Sequence, residues 1–217
     1  MKGIIFKDLY DNFGVWKNLA SYIFCFGIIL LVSLFSRSEY FYGLMVFMTA
    51  LGGSAAIESS TEQDEISNFN RLLITFPVTK TEIIRAKYIL ALCFLGVANV
   101  FSFLILLLYV YAYRALTFTQ ALPYWLIGVC ASLILTAFSY VIYSVFGKRR
   151  GTIFYCIIVA LLACAYGALW SLSRIGMIGA AAGWNVPVIL GISFPVSVLL
   201  FFLSYVFVMW LYKKRYA

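Results

Sequence analysis

Six stretches of this chain, roughly 18–36, 40–57, 88–113, 121–146, 152–172 and 188–212, contain no lysine, arginine, aspartate or glutamate. Each has at least 18 mostly apolar residues, enough for a helix to cross the roughly 30 Å hydrocarbon layer of a bilayer. Lipid offers no hydrogen bonds to an exposed backbone, so only helices and closed barrels span it. The runs lack the ten-residue alternation of barrel strands. Charged residues make up 11% of the chain, against about 25% in ordinary globular domains, which leaves too little polar surface to coat a soluble globule. The sequence therefore predicts an all-α polytopic membrane protein with six transmembrane helices.

Charge placement sets the orientation. With the N-terminus inside, the inner positions are Lys2, Lys7, Lys17, Arg71, Lys80, Arg85, Lys87, Lys148, Arg149, Arg150, Lys213, Lys214 and Arg215; the outer ones are Arg37, Arg114 and Arg174. Thirteen against three is a strong positive-inside bias, and it predicts both termini in the cytosol. The cations are dispersed at span ends, which explains the net charge of +8 without nucleic-acid binding. Asp8, Asp11 and Asn12 interrupt the N-terminal region, unlike the continuous apolar core of a cleaved signal peptide.

Residues 1–17 read as an interfacial amphipathic helix. Ile5, Phe6, Leu9, Phe13 and Trp16 fall within an arc of about 100°, with Lys7, Asp8 and Asp11 off it. The alternative is an early start to the first span. Tyrosines and tryptophans near the span ends, among them Tyr40, Tyr42, Tyr109, Tyr113, Tyr124 and Trp125, suit headgroup depth. Pro195 is expected to kink the last span. The run Ala50–Ala56, with Gly52 and Gly53, either allows close helix approach or loosens its helix.

Much of the chemistry of known enzymes and carriers is excluded. The chain has no histidine, and its five cysteines all fall in predicted spans without CxxC spacing; buried thiols of this kind behave as small apolar residues. There is no GxxxxGK[ST] phosphate loop. No span carries an ionisable group of the kind that relays protons or holds a coupling ion in pumps and carriers. The mild polar residues within the spans, Asn99, Ser102, Thr136, Ser139, Ser144 and Ser197, either bond helices together or line a path. Any transport must therefore draw energy from elsewhere.

One polar stretch breaks the apolar pattern. Residues 58–87 hold five of the eight acids and four of the sixteen Lys/Arg. Within 62–76, Ile66, Phe69, Leu72, Leu73 and Phe76 form a stripe of about 120°, with Asn68, Asn70, Arg71 and Thr75 off it and Ile74 an apolar exception. Such a helix either lies on headgroups or fits a protein groove, and Glu58, Glu62, Asp64 and Glu65 are unsuited to an anionic leaflet. Pro77 ends the segment. Thr79 and Glu82 then have capping-box spacing, so the third span's helix starts before the membrane.

The segment NFNRLLITFPVTKTEIIRAKYI, residues 68–89, resembles the transmembrane subunits of ABC-2-type ATP-binding-cassette transporters. The similarity rests on Leu72, Leu73, Pro77, Val78, Thr79, Lys80, Glu82, Ile83, Ile84, Ala86, Lys87 and Tyr88, and on Glu58 where the second span ends. The order of features resembles the family over the whole chain, 1–217, as a single transmembrane domain. The resemblance implies that 62–76 is a coupling helix docking on a separate ATPase subunit. Its contacts would be Glu62, Glu65, Ile66, Phe69, Asn70, Leu72, Leu73 and Phe76, with Lys148, Arg149 and Arg150 in the second inner loop. It also implies a homo- or heterodimer of membrane subunits in a bacterial plasma membrane. This chain would hold no cofactor and do no catalysis; ATP and Mg would bind the partner. Related exporters carry amphipathic peptides such as phenol-soluble modulins or bacteriocins. Two other classes also fit a chain of this kind: the substrate-capturing membrane subunit of a vitamin importer, and a membrane sensor or partner that transports nothing.

Overall fold

The computed structural model describes residues 2–67, 79–174 and 186–215. Those residues form helices and short connections, with no strand among them. Helix α1 spans Lys2–Phe13, α2 Trp16–Phe35 and α3 Glu39–Ile66. Helix α4, Lys80–Leu107, ends in a π-helical turn, Leu108–Ala112. The helical stretch Phe118–Arg174 is broken at Gly147, which divides it into α5 (118–146) and α6 (148–174). Helix α7 is Val186–Arg215 and runs on through Pro195.

Four stretches among the described residues are long and apolar enough to cross a membrane: Trp16–Phe35, Thr81–Ala112, Phe118–Ala168 and Leu190–Lys214. Their outward faces carry large apolar side chains, including Phe24 and Leu31 on α2 and Leu199, Phe202, Val206 and Trp210 on α7. Contiguous apolar surface of this extent belongs against lipid.

Phe118–Ala168, at 51 residues, would be roughly 75 Å long as one rod, more than twice the hydrocarbon thickness. Instead the chain doubles back. Tyr124 on α5 meets the Tyr42 ring edge-on at 6.1 Å, and Tyr166 on α6 donates to the Tyr40 carbonyl at 3.0 Å. Both arms of the hairpin thus reach the first turn of α3. The reversal falls at Gly147, whose φ of 70° lies in the left-handed region, where a Cβ would be strained. A Cβ there would also sit 3.2 Å from Glu65 Oε1.

Helix α3 is central, packed on α2, α4 and both arms of the hairpin. At Gly52 a Cβ would lie 3.0 Å from Phe26 Cζ, so this glycine serves the close approach of α2. One apolar core joins Tyr42, Met45, Val46, Leu106 and Tyr109 near the start of α3; a second joins Ile57, Ile84, Tyr88, Tyr140 and Val208 near its end.

The structure adds detail to several residue assignments. Tyr42 and Tyr109, expected at headgroup depth, are buried against neighbouring helices. Their hydroxyls donate to the carbonyls of Ala121 (3.0 Å), in the first turn of α5, and of Ser36, at the C-terminal end of α2 where backbone acceptors are left free. Most of the mild polar residues within spans satisfy themselves on their own helix: Thr136 donates to the Ser132 carbonyl, Ser139 to Leu135 and Ser197 to Phe194. Asn99 reaches across helices, to Ser132 Oγ at 3.3 Å. Of the cysteines, Cys130 is buried while Cys25, Cys93, Cys156 and Cys164 are exposed.

A charged frame at the end of helix α3

Asp64 lies in the last turn of α3, and its carboxylate joins three helices. Lys7 of α1 donates to Oδ1, and Lys87 of α4 donates to Oδ2 at 2.5 Å. The Lys7 ammonium also lies 2.7 Å from Asp11 Oδ2, one helical turn on, and 3.4 Å from Asp8 Oδ1. Asp8 and Asp64 are almost fully buried. Around them several further polar groups are paired in series, while Asp8 Oδ2 and Ser60 Oγ are buried without a hydrogen-bond partner among the described residues. Asn12 donates to the Asp8 carbonyl at 2.7 Å and accepts from the Tyr22 hydroxyl at 2.7 Å. Asn18 donates to the Asp11 carbonyl at 2.7 Å, and Tyr140 of α5 to the Lys87 carbonyl at 2.8 Å.

The opposite stripe of α3 carries Glu58, Glu62 and Glu65, one to two turns apart. Glu62 binds Lys17 of α2 at 2.9 Å and Lys148 of α6 at 2.6 Å. Glu65 Oε1 accepts the Lys148 backbone N–H at 2.7 Å, capping the first turn of α6. A carboxylate there also complements the positive end of the helix dipole. Glu58 accepts from the Thr152 hydroxyl at 3.2 Å. Six of the chain's eight acids, Asp8, Asp11, Glu58, Glu62, Asp64 and Glu65, thus gather at one end of the bundle.

Asp64 and Asp8 titrate in opposite directions. Burial pushes Asp64 up, but Lys87 and Lys7 overcome it and hold the carboxyl below its usual range. For Asp8 burial wins over the same two lysines and the pKa rises. Lys7 is lowered by burial but raised on balance by Asp64, Asp11 and Asp8. Hydrogen bonds from Lys148 and Lys17 hold Glu62 low. The inner network sets three carboxylates against two ammoniums, so a proton on Asp8 balances it. Carboxylate oxygens of Asp8, Asp11 and Asp64 come within 4.8 Å of one another, close enough for a metal ion. The Lys7 ammonium already supplies the positive charge among them.

The expected partner-contact residues divide between these places. Glu62, Glu65 and Ile66 form the last turns of α3 instead of opening a separate helix. The two glutamates turn onto α2 and α6, whereas Ile66 is exposed. Phe69, Asn70, Leu72, Leu73 and Phe76 lie outside the described residues. Lys148 is held by Glu62, while Arg149 and Arg150 are exposed. On the far side of the gap the capping box is present: Thr79 Oγ1 accepts the Glu82 N–H at 3.3 Å and Glu82 Oε2 accepts the Thr79 N–H at 3.0 Å.

The N-terminal helix is separate from the first long span, with a break at Gly14 and Val15. Phe6 and Trp16 point away from the protein, while Phe13 is half-exposed and stacks on Phe94 of α4 at 5.4 Å. The unforeseen part is the use of its polar side. Asp8, Asp11 and Asn12 face inward onto Asp64 and Lys87, not outward to water. The available signal was the rarity of acids in this chain, which makes two of them in one short helix unusual.

A bundle of long apolar helices, closed at one end by a buried charged frame, is that of a multi-pass membrane protein with one polar end. A family model described as "ABC-2 family transporter protein" matches residues 3–213, and the chain belongs to that family. No curated protein and no solved structure matches it. Membership makes this a transporter membrane subunit with an ATP-binding-cassette ATPase as partner.

Proposed function

We propose that this chain forms the translocation path of an ATP-driven exporter, with the charged frame on the cytosolic side. In this reading α2, the first part of α3, α4, α5, α6 and α7 make six crossings. The hairpin at Gly147 accounts for two of them, α1 rests on the inner leaflet, and both termini are cytosolic. Residues 62–76 couple to the ATPase, where ATP and Mg bind. Two copies of this chain, or one copy and a related one, complete the path.

The observation that carries the reading is the position of the frame. It grips α3 at Glu62, Asp64 and Glu65, immediately before residues 68–78, and grips α4 at Lys87, shortly after them. A displacement of the segment between would be passed to α1, α2, α4 and α6 through short charged contacts. The test is co-purification with the partner ATPase from a bacterial membrane. Phe69→Asp combined with Leu73→Asp is expected to abolish the complex while leaving the membrane subunit folded. An intact complex that still drives export would refute the docking assignment.

A further inference from the structure

A cavity of about 750 Å3 lies between α2, α3 and α6, within the size range of small-molecule sites. Phe26, Ile29, Met45 and Met48 make most of its length apolar, and Lys17, Glu58 and Glu62 lie at the end nearest the charged frame. Lys17 is paired with Glu62, which Lys148 also binds. Glu58 is different. It is half-buried, and its one partner among the described residues is the Thr152 hydroxyl. No lysine or arginine among those residues is within ion-pair distance of it.

Two tyrosines line the same end of the cavity without relieving Glu58. The Tyr22 hydroxyl is committed to Asn12 at 2.7 Å, and the Tyr155 hydroxyl pairs with Ser54 at 2.8 Å. A carboxylate withdrawn from water and short of donors attracts a cation, and aromatic rings beside it favour an ammonium further. An anionic head would meet two glutamates and a lysine that is already paired.

We propose that this cavity binds a cationic amphiphile, its primary ammonium at Glu58 and its apolar tail along the groove between α2 and α3. As a cargo site this rests on the transporter reading above; as a binding site it is measured on its own. The protein is placed in nanodiscs of zwitterionic phosphatidylcholine and offered dodecylammonium, dodecanol or dodecyl sulfate. Cys25 lines the cavity and is exposed, so its protection from a maleimide, read by peptide mass spectrometry, reports occupancy. Cys93 is exposed outside the cavity lining and serves as the control.

Dodecylammonium is expected to protect Cys25 at about a tenfold lower concentration than dodecanol, the difference one charged hydrogen bond makes. The sulfate should protect least, and Cys93 should not respond. Glu58→Gln should erase the preference for ammonium and keep the protection by dodecanol, which also shows that the variant is folded. Should that variant fail to fold, the headgroup series on the unaltered protein decides alone. Equal protection by all three probes would overturn the proposal. So would an ammonium preference that survives Glu58→Gln, or a Cys25–Cys25 disulfide placing a second copy in the groove. Docking is tested at Phe69 and Leu73 and this site at Glu58, so the two readings fail independently.

Discussion

Asp64 and Asp8 touch the same ammonium but respond to it differently, because only Asp64 has a second lysine in contact with its carboxylate. Removing the charge of Asp64 would strand Lys87 and leave Lys7 to Asp11 and Asp8, and losing one member of a buried pair costs about 3–5 kcal/mol. Asp64→Asn is therefore expected to lower the Tm sharply in detergent, whereas Asp8→Asn, which removes an excess negative charge, should leave Tm unchanged or raise it. The pH dependence follows from the two directions. The depressed pKa of Asp64 gives stability that is complete above a free carboxyl's value of about 4 and is lost as pH falls through the folded value. The raised pKa of Asp8 gives stability that is present below about 4 and fades as pH rises through its own folded value. A Tm profile of the unaltered protein should rise with pH up to about 4 and decline above it as Asp8 ionises, and Asp64→Asn should flatten the acid limb. An unchanged acid limb in that variant would separate Asp64 from the stability of the frame. At Gly147 the argument is steric. Gly147→Ala places a Cβ at φ 70° beside Glu65 and should cost about 1–2 kcal/mol, read as a lower Tm; an undiminished Tm would show that the turn can relax.

Helix α3 has 28 residues and is about 42 Å long, so it continues beyond a bilayer core of about 30 Å. That continuation was hidden in the sequence because polar residues after an apolar run read equally well as a loop. In the structure Glu62, Asp64 and Glu65 are helical because partners on α1, α2, α4 and α6 meet them, and those partners are up to 86 positions away in sequence, as Lys148 is from Glu62. Local rules did better at the start of α4. The spacing of Thr79 and Glu82 depends on residues three apart, and both reciprocal bonds of the capping box are present. Loss of an N-cap costs about 1 kcal/mol. Thr79→Ala should accordingly speed hydrogen exchange of the amides at 80–83 several-fold while leaving those in the middle of α4 unchanged. Exchange that stays the same at 80–83 would mean that packing alone holds the first turn.

Across the whole molecule, the all-helical class and the membrane setting were legible because they follow from composition and run length. The Gly147 reversal was legible as the basic gap between two apolar runs, though the glycine's left-handed backbone was not. The charged frame was largely illegible: pairing of Lys7 with Asp64 depends on how α1 folds back beneath the bundle, which no local pattern encodes. In the proposed mechanism an ATPase drives this subunit through the segment flanked by Ser67 and Thr79. Hydrogen exchange on the subunit, alone and assembled with the ATPase, is the decisive measurement. New protection is expected to concentrate in residues 62–87, with a change on ATP addition that extends to the amides around Gly147. Protection elsewhere, with 62–87 exchanging as in the free subunit, would contradict that mechanism.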